Sequence, residues 1–219
     1  MKPKLIIWDW NGTILDDMEV CRGIANRMLS ERGLKPFANA AEYKAVFGFP
    51  IKDYYRQCGY TYETESYETV ADEFVLLYKE RFPLCRLHAR AVETLLGFKA
   101  AGFRQVLLSA TKESQLKEQV AVFPELKDCF DSVLGTADHY AFSKAELAAR
   151  FIGSCRLQPS EALFIGDTDH DYAVSHAVGA PCILFTGGHQ SRARLEKTGA
   201  VAVVDSLTEL KARLLSETL

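Results

Sequence analysis

No apolar run in the 219 residues approaches the ~20 that a transmembrane helix needs, so no membrane partner is expected. Met1-Lys2-Pro3-Lys4 is followed by only four apolar residues before Asp9, whereas a signal peptide carries roughly 7–15. A cytoplasmic location is therefore expected. Dense basic stretches are also absent. The 26 Lys and Arg are scattered among 29 Asp and Glu, for a net charge of −3, which argues against a nucleic-acid partner. There is no Cys-x-x-Cys pair. Cys21, Cys58, Cys85, Cys129, Cys155 and Cys182 lie far apart, which fails as a zinc site and is expected of reduced thiols packed as small hydrophobes. Internal repeats and low-complexity segments are missing too. What remains, 48% apolar and 25% charged residues, is the balance of a soluble globular protein, with length for one large domain or a core carrying an insert.

Short apolar runs recur along the chain: Leu5–Trp8, Val106–Leu108, Ala162–Ile165, Cys182–Phe185 and Val201–Val204, with a weaker one at Ser132–Leu134. Runs this short suggest strands buried on both faces. Helical patterns lie between them. Val92, Leu95, Leu96 and Lys99 have helical spacing, and Ser143 with Glu146, like Ser206 with Glu209, reads as a capping box. This alternation predicts an α/β fold with a parallel sheet. Residues 17 to about 83 break it. From Glu63 to Phe82, residues Tyr67, Val70, Ala71, Phe74, Val75, Tyr78 and Phe82 form one helical stripe, so a helical block is expected after the first strand.

Ligands of open α/β sheets bind beyond the carboxyl ends of the strands. The first strand ends in Asp9-Trp10-Asn11-Gly12-Thr13, and the second in Ser109-Ala110-Thr111. Thr136, Asp138 and then Lys144 follow the third, and the fourth ends in Gly166-Asp167-Thr168-Asp169-His170-Asp171. Hard oxygen ligands there suit a divalent cation, while a lysine and a hydroxyl suit a phosphate. Each segment alone has an ordinary reading. Asn11-Gly12 is a turn signal, Ser109 a helix cap, Lys144 a surface lysine, and Gly166–Asp171 an acidic helix start. A calcium loop fails, because Val178 stands where its glutamate belongs.

Together the segments resemble the haloacid dehalogenase (HAD) superfamily of phosphohydrolases, and most closely its phosphoglycolate-phosphatase-like branch. The family's Asp-x-Asp-x-Thr motif is matched by Asp9-x-Asn11-x-Thr13, its Ser or Thr by Ser109, its Lys by Lys144, and its Gly-Asp-x-x-x-Asp by Gly166, Asp167 and Asp171. The resemblance implies a Rossmann-like core with a parallel sheet (residues 1–15 and 86–219) and an inserted helical C1 cap domain (16–85). It implies a Mg2+-dependent phosphatase for a small phosphorylated metabolite. Asp9 is then the nucleophile that forms an aspartyl-phosphate. Mg2+ is held by Asp9, the Asn11 carbonyl, Asp167 and Asp171. The phosphoryl oxygens are held by Ser109, Lys144 and backbone N–H groups near Trp10 and Ala110.

Asn11 departs from the family, whose phosphatases carry there an Asp that protonates the leaving group and activates water. An amide does neither, and lost acid–base catalysis typically costs 10²–10⁴-fold. Three readings stay open: a phosphatase for good leaving groups or with another proton source, a long-lived phospho-aspartyl protein such as a phosphotransferase or mutase, and a binding protein that has lost turnover. His170 is a candidate proton donor, but more simply an exposed helix-start histidine. His88, His139, His176 and His189 are too dispersed to suggest a metal cluster. The segment Phe47–Lys52 is a break between helices that could dip toward the site, making Lys52 and Arg56 candidate specificity residues. A monomer or a homodimer fits equally.

Overall fold

The computed structural model describes residues 3–136 and 143–216; Asp138 and His139 lie outside them. The chain opens with β1 (Leu5–Trp8) and β2 (Leu15–Asp16), then four helices, α1 (Met18–Glu31), α2 (Ala40–Val46), α3 (Ile51–Gln57) and α4 (Tyr67–Arg81). It returns through β3 (Arg86–Leu87), α5 (Ala91–Ala100), β4 (Arg104–Lys112), α6 (Glu113–Ala121) and β5 (Ser132–Thr136). The rest is α7 (Lys144–Ser154), β6 (Ala162–Gly166), α8 (Asp169–Val178), β7 (Cys182–Phe185), α9 (Arg192–Leu195), β8 (Ala202–Val204) and α10 (Leu207–Ser216).

Six strands pair in parallel in the order β5-β4-β1-β6-β7-β8. All four residues of β1 are buried. Side chains alternate across a strand, so Leu5 and Ile7 enter one core and Ile6 and Trp8 the other. Each such aliphatic side chain contributes roughly 1.5–3 kcal/mol through burial. Helices α5 and α10 cover one face; α7 and α8 cover the other. Trp8 also carries a polar group into the core, and its indole N–H donates to Gln105 Oε1 at 3.0 Å. From β1 the chain winds outward to β4 and β5 on one side, then to β6, β7 and β8 on the other. That reversal makes the carboxyl ends of β1, β4 and β6 a topological switch point, where open sheets leave a crevice.

The helical block α1–α4 has its own core, built on Ile24, Met28, Tyr43, Tyr54 and Val70. Its last helix starts at Tyr67 rather than Glu63, because the Ser66 hydroxyl accepts from the Thr69 N–H and caps it. Val70 and Leu77 are its buried residues; Leu77 lies outside the expected stripe, while Val75, expected in it, is 51% exposed. Strands β2 and β3 pair antiparallel at the base of the block. At two residues each, they are too short to show as apolar runs. The capping box of Ser143 and Glu146 opens α7. At α10, Ser206 caps Glu209 N–H, but the Glu209 carboxylate reaches Asp205 instead. The six cysteines are free thiols. No helix among the described residues is long and apolar enough to cross a membrane.

Candidate active site

Asp9 follows the last residue of β1 and is anchored by its N–H, which donates to Ile165 O at 2.8 Å. Lys144, the first residue of α7, reaches back to donate to Asp9 Oδ1 and to Asp171 Oδ1, the latter at 2.7 Å. Asp171 doubles as the capping partner of Thr168 at the start of α8, accepting from its N–H at 3.1 Å and its hydroxyl at 2.7 Å. Asp167 accepts from the Thr13 hydroxyl at 3.1 Å and the His189 N–H at 2.6 Å. Carboxylate oxygens of Asp9, Asp167 and Asp171 lie within 4.8 Å of one another, close enough to share a metal ion.

Positive charge is short here. Burial pushes the Asp9 carboxyl up to about 8, with Lys144 opposing and Asp171 and Asp167 adding to the rise. Burial likewise carries Asp167 up to about 6. Asp171 goes the other way: burial opposes its charge, but the Lys144 ammonium outweighs it. Lys144 itself keeps its proton, since Asp171 and Asp9 overcome the burial that disfavours a cation. Gly12 is required at its position. It has φ +73°, and a Cβ there would lie 2.3 Å from Asp167 Oδ2.

Ser109 sits at the carboxyl end of β4, where the register with β5 shifts between Leu108 and Lys112. Its hydroxyl accepts from the Thr111 N–H at 3.1 Å. Ala110 is exposed beside it, and its carbonyl accepts from the Thr136 hydroxyl at 3.0 Å. Lys52 and Arg56 are not brought to this edge. The Lys52 ammonium lies 5.5 Å from the Tyr67 ring and the Arg56 guanidinium 5.8 Å from the Tyr62 ring; Arg56 also pairs with Asp53. An aromatic cluster at the far end of α4 attracts both cations.

Four residues unsuspected in sequence complete the surroundings: Asp17, Tyr43, Tyr78 and His189. Asp17 Oδ2 accepts from Asn11 Nδ2 at 2.8 Å and from the Tyr78 hydroxyl at 2.7 Å. Its Oδ1 accepts from the Gly12 N–H at 2.9 Å and lies 3.1 Å from His189 Nε2. The other His189 ring nitrogen lies 2.9 Å from the Tyr43 hydroxyl. Burial disfavours both charges, but the Asp17–His189 contact outweighs it, lowering the Asp17 pKa and raising that of His189. Cys21 lies close, with Sγ 3.6 Å from Asp17 Oδ2. His189 follows Thr186-Gly187-Gly188 just beyond β7. The strand-end rule that located Asp9 also points there. Asp17 carried no such signal, since an Asp before a helix reads as a cap.

The helical block closes on this edge through several further contacts. Lys44 donates to Thr186 O at 3.0 Å and Arg194 to Phe47 O at 2.7 Å. The segment after α2 does dip toward the site: Phe47 packs on His189 and Phe49 stacks on His170, with ring centroids 4.8 and 4.5 Å apart. His170 is half-buried by that stacking, and burial lowers its pKa.

The sequence matches a known family across most of the chain. A family model described as haloacid dehalogenase-like hydrolase matches residues 6–185. The chain belongs to the haloacid dehalogenase-like hydrolases. Among curated relatives, a phosphoglycolate phosphatase from Cereibacter sphaeroides is 25% identical over 218 residues, covering 96% of this chain and 99% of its own length. Another phosphoglycolate phosphatase, from Pseudomonas fluorescens, is 23% identical, covering 95% of this chain and 78% of its own. The fold is shared with a conserved haloacid dehalogenase-like protein of unknown function from Agrobacterium tumefaciens. That structure has a TM-score of 0.81 at 19% identity and covers 99% of this chain and 100% of its own. A predicted phosphoglycolate phosphatase from Haemophilus somnus has a TM-score of 0.76 at 18% identity, covering 100% and 99%.

Proposed function

We propose that this haloacid dehalogenase-like hydrolase is a Mg2+-dependent phosphatase of a small phosphorylated metabolite that works through an aspartyl-phosphate on Asp9. The observation that carries the reading is Lys144, which bridges Asp9 and Asp171 beside Asp167 at the switch point of the sheet. The relatives named phosphoglycolate phosphatase support a small phosphorylated substrate.

The donor set suits Mg2+. Three carboxylates meet within 4.8 Å, and two of them have raised pKa values that a nearby dication would bring down. Asp9, Asp167 and the Asn11 carbonyl would hold the ion, with Asp171 in support. Bound there, it would screen the anionic nucleophile from the anionic phosphate. The remaining work belongs to this chain. Lys144 orients the Asp9 carboxylate and neutralises a phosphoryl oxygen. Ser109 and the backbone near Trp10 and Ala110 cradle the others. Residues 16–85 act as the cap, which excludes water while the phosphoryl group is transferred to Asp9. Asp9 then attacks phosphorus, the substrate's P–O bond breaks, and water later cleaves the acyl phosphate.

The test is phosphate release from a phosphometabolite panel, with Mg2+ and with EDTA. Turnover that requires Mg2+ is the expected result; equal turnover in EDTA overturns the metal assignment. A second reading, a phospho-ligand-binding protein or phosphotransferase with little hydrolysis, is favoured by Asn11 alone. It predicts no phosphate release from folded, metal-loaded protein.

Proton linkage gives an independent check. A carboxyl whose pKa is raised on folding binds its proton more tightly in the native state, so metal-free stability falls as pH rises from about 4 through about 8 for Asp9 and about 6 for Asp167. Mg2+ competes with those protons. It is therefore expected to raise Tm more at pH 8 than at pH 5.5, at about 2–4 °C per kcal/mol for a chain of this size. A Tm increment equal at both pH values contradicts the carboxylate site.

A further inference from the structure

We propose that the site is built for acyl phosphates, whose leaving group departs as a stable carboxylate, and not for alkyl phosphates such as phosphoglycolate. The inference deepens the aspartyl-phosphate reading and rests on it. Its basis is the orientation in which Asn11 is held.

The Asn11 amide nitrogen is fully engaged. It donates to Asp17 Oδ2 and to the Tyr78 hydroxyl, both at 2.8 Å. Turning the amide over would set its carbonyl oxygen against a buried carboxylate, so the orientation is fixed by charge. Asp17 has itself been diverted to this task. It precedes α1, where an Asp ordinarily caps the helix and contributes about 1 kcal/mol, yet its side chain makes no cap bond. It accepts instead from Asn11, Gly12 and Tyr78 while pairing with His189. A carboxylate at position 11 would meet Asp17 as a like charge in a buried space. The amide is the group that Asp17 and Tyr78 select.

As a consequence, Asn11 turns its oxygen, not a proton, toward Thr111 at the carboxyl end of β4, with Oγ1 and Oδ1 3.5 Å apart. An oxygen there can accept a hydrogen bond from an attacking water but cannot protonate a departing one. Among the described residues, the groups bonded to Asp9 are committed: Lys144 donates to Asp9 and Asp171, and Asp171 is tied to Thr168. The His170 ring stacks on Phe49 and makes no hydrogen bond to Asp9 or Asn11 among the described residues. The leaving group must then carry its own electron pair away unprotonated. A carboxylate does so readily, since its conjugate acid has a pKa near 4. An alkoxide, with a conjugate acid near that of water at about 15.7, does not.

Both steps balance without an enzyme acid. Asp9 forms a bond to phosphorus as the P–O bond to the acyl group breaks, and that electron pair leaves on the carboxylate. Water, held by Asn11 Oδ1, then attacks phosphorus. The P–O bond to Asp9 breaks, its electron pair returns to the Asp9 carboxylate, and the water's proton leaves with the phosphate.

The experiment is a leaving-group series with the full chain and Mg2+: acetyl phosphate, 4-nitrophenyl phosphate, phenyl phosphate and phosphoglycolate, each with wild type and Asp9→Asn. The expected kcat/KM falls with every rise in leaving-group pKa, and phosphoglycolate lies 10²–10⁴-fold below acetyl phosphate. Phosphoglycolate within 10-fold of acetyl phosphate overturns this proposal and leaves the aspartyl-phosphate reading standing. Turnover that survives Asp9→Asn, or none from folded protein, overturns both. The carboxylate swap Asn11→Asp with Asp17→Asn is expected to narrow the gap by raising phosphoglycolate turnover relative to acetyl phosphate. Because the wild-type series needs no variant, a swap that fails to fold leaves the main test intact.

Discussion

Replacing Asp9 with Asn is expected to lower phosphate release by about 10⁴-fold or more while making the metal-free protein more stable at alkaline pH. The two effects have opposite signs for one reason. Asp9 sits among Asp167 and Asp171 in a buried site, and burial carries its pKa up to about 8. The native state therefore holds this carboxyl's proton more tightly than the unfolded chain does. Stability thus falls as pH rises from about 4 through about 8, and an amide of the same shape removes that burden. Catalysis loses its nucleophile, because an amide oxygen does not form the acyl phosphate. Urea unfolding at pH 6 and pH 9 without metal reads the first effect: the variant's advantage should grow with pH. Phosphate release reads the second. A variant less stable than wild type at pH 9, yet inactive, would mean that Asp9 supports the fold and would withdraw the evidence for a nucleophile.

The parallel sheet was legible because β1 and β6 are short apolar runs buried on both faces, and the chemistry fell at their carboxyl ends. Asp9, Lys144, Asp167 and Asp171 were accessible for the same reason, as each is the first polar residue after a strand or the opening of a helix. The β2–β3 ribbon was not legible, since two residues carry no period. Neither was Asp17, whose position reads as a helix cap. Only the folded chain brings Tyr78, some 60 residues on, to compete for its carboxylate. The stripe on α4 placed Tyr78 on the apolar face but could not show that its hydroxyl meets the core. Lys52 and Arg56 show the converse, a signal read from charge alone. Their charge suggested an anionic ligand, whereas the tyrosines of the helical block already occupy them.

Lys144→Met is expected to damage the fold severely. Lys144 is buried, and its ammonium is the positive charge that reaches both Asp9 and Asp171. Methionine keeps the unbranched stem and removes only the charge, leaving two carboxylates facing each other out of water. Breaking a buried pair from one side costs about 3–5 kcal/mol, mostly as the desolvation of the partner left behind. Without the lysine, both carboxyl pKa values rise in the native state, so the loss should grow with pH: smaller at pH 5, where protons neutralise the pair, and fullest at pH 8. Mg2+ should restore part of the stability, since it supplies charge to the same oxygens, but not turnover, because the phosphoryl group has lost its lysine. Chemical denaturation at both pH values, with and without Mg2+, separates these effects. A loss below about 1 kcal/mol at pH 8 would mean that the carboxylates are neutral in the native protein and that the buried ion pair is not what holds this edge together.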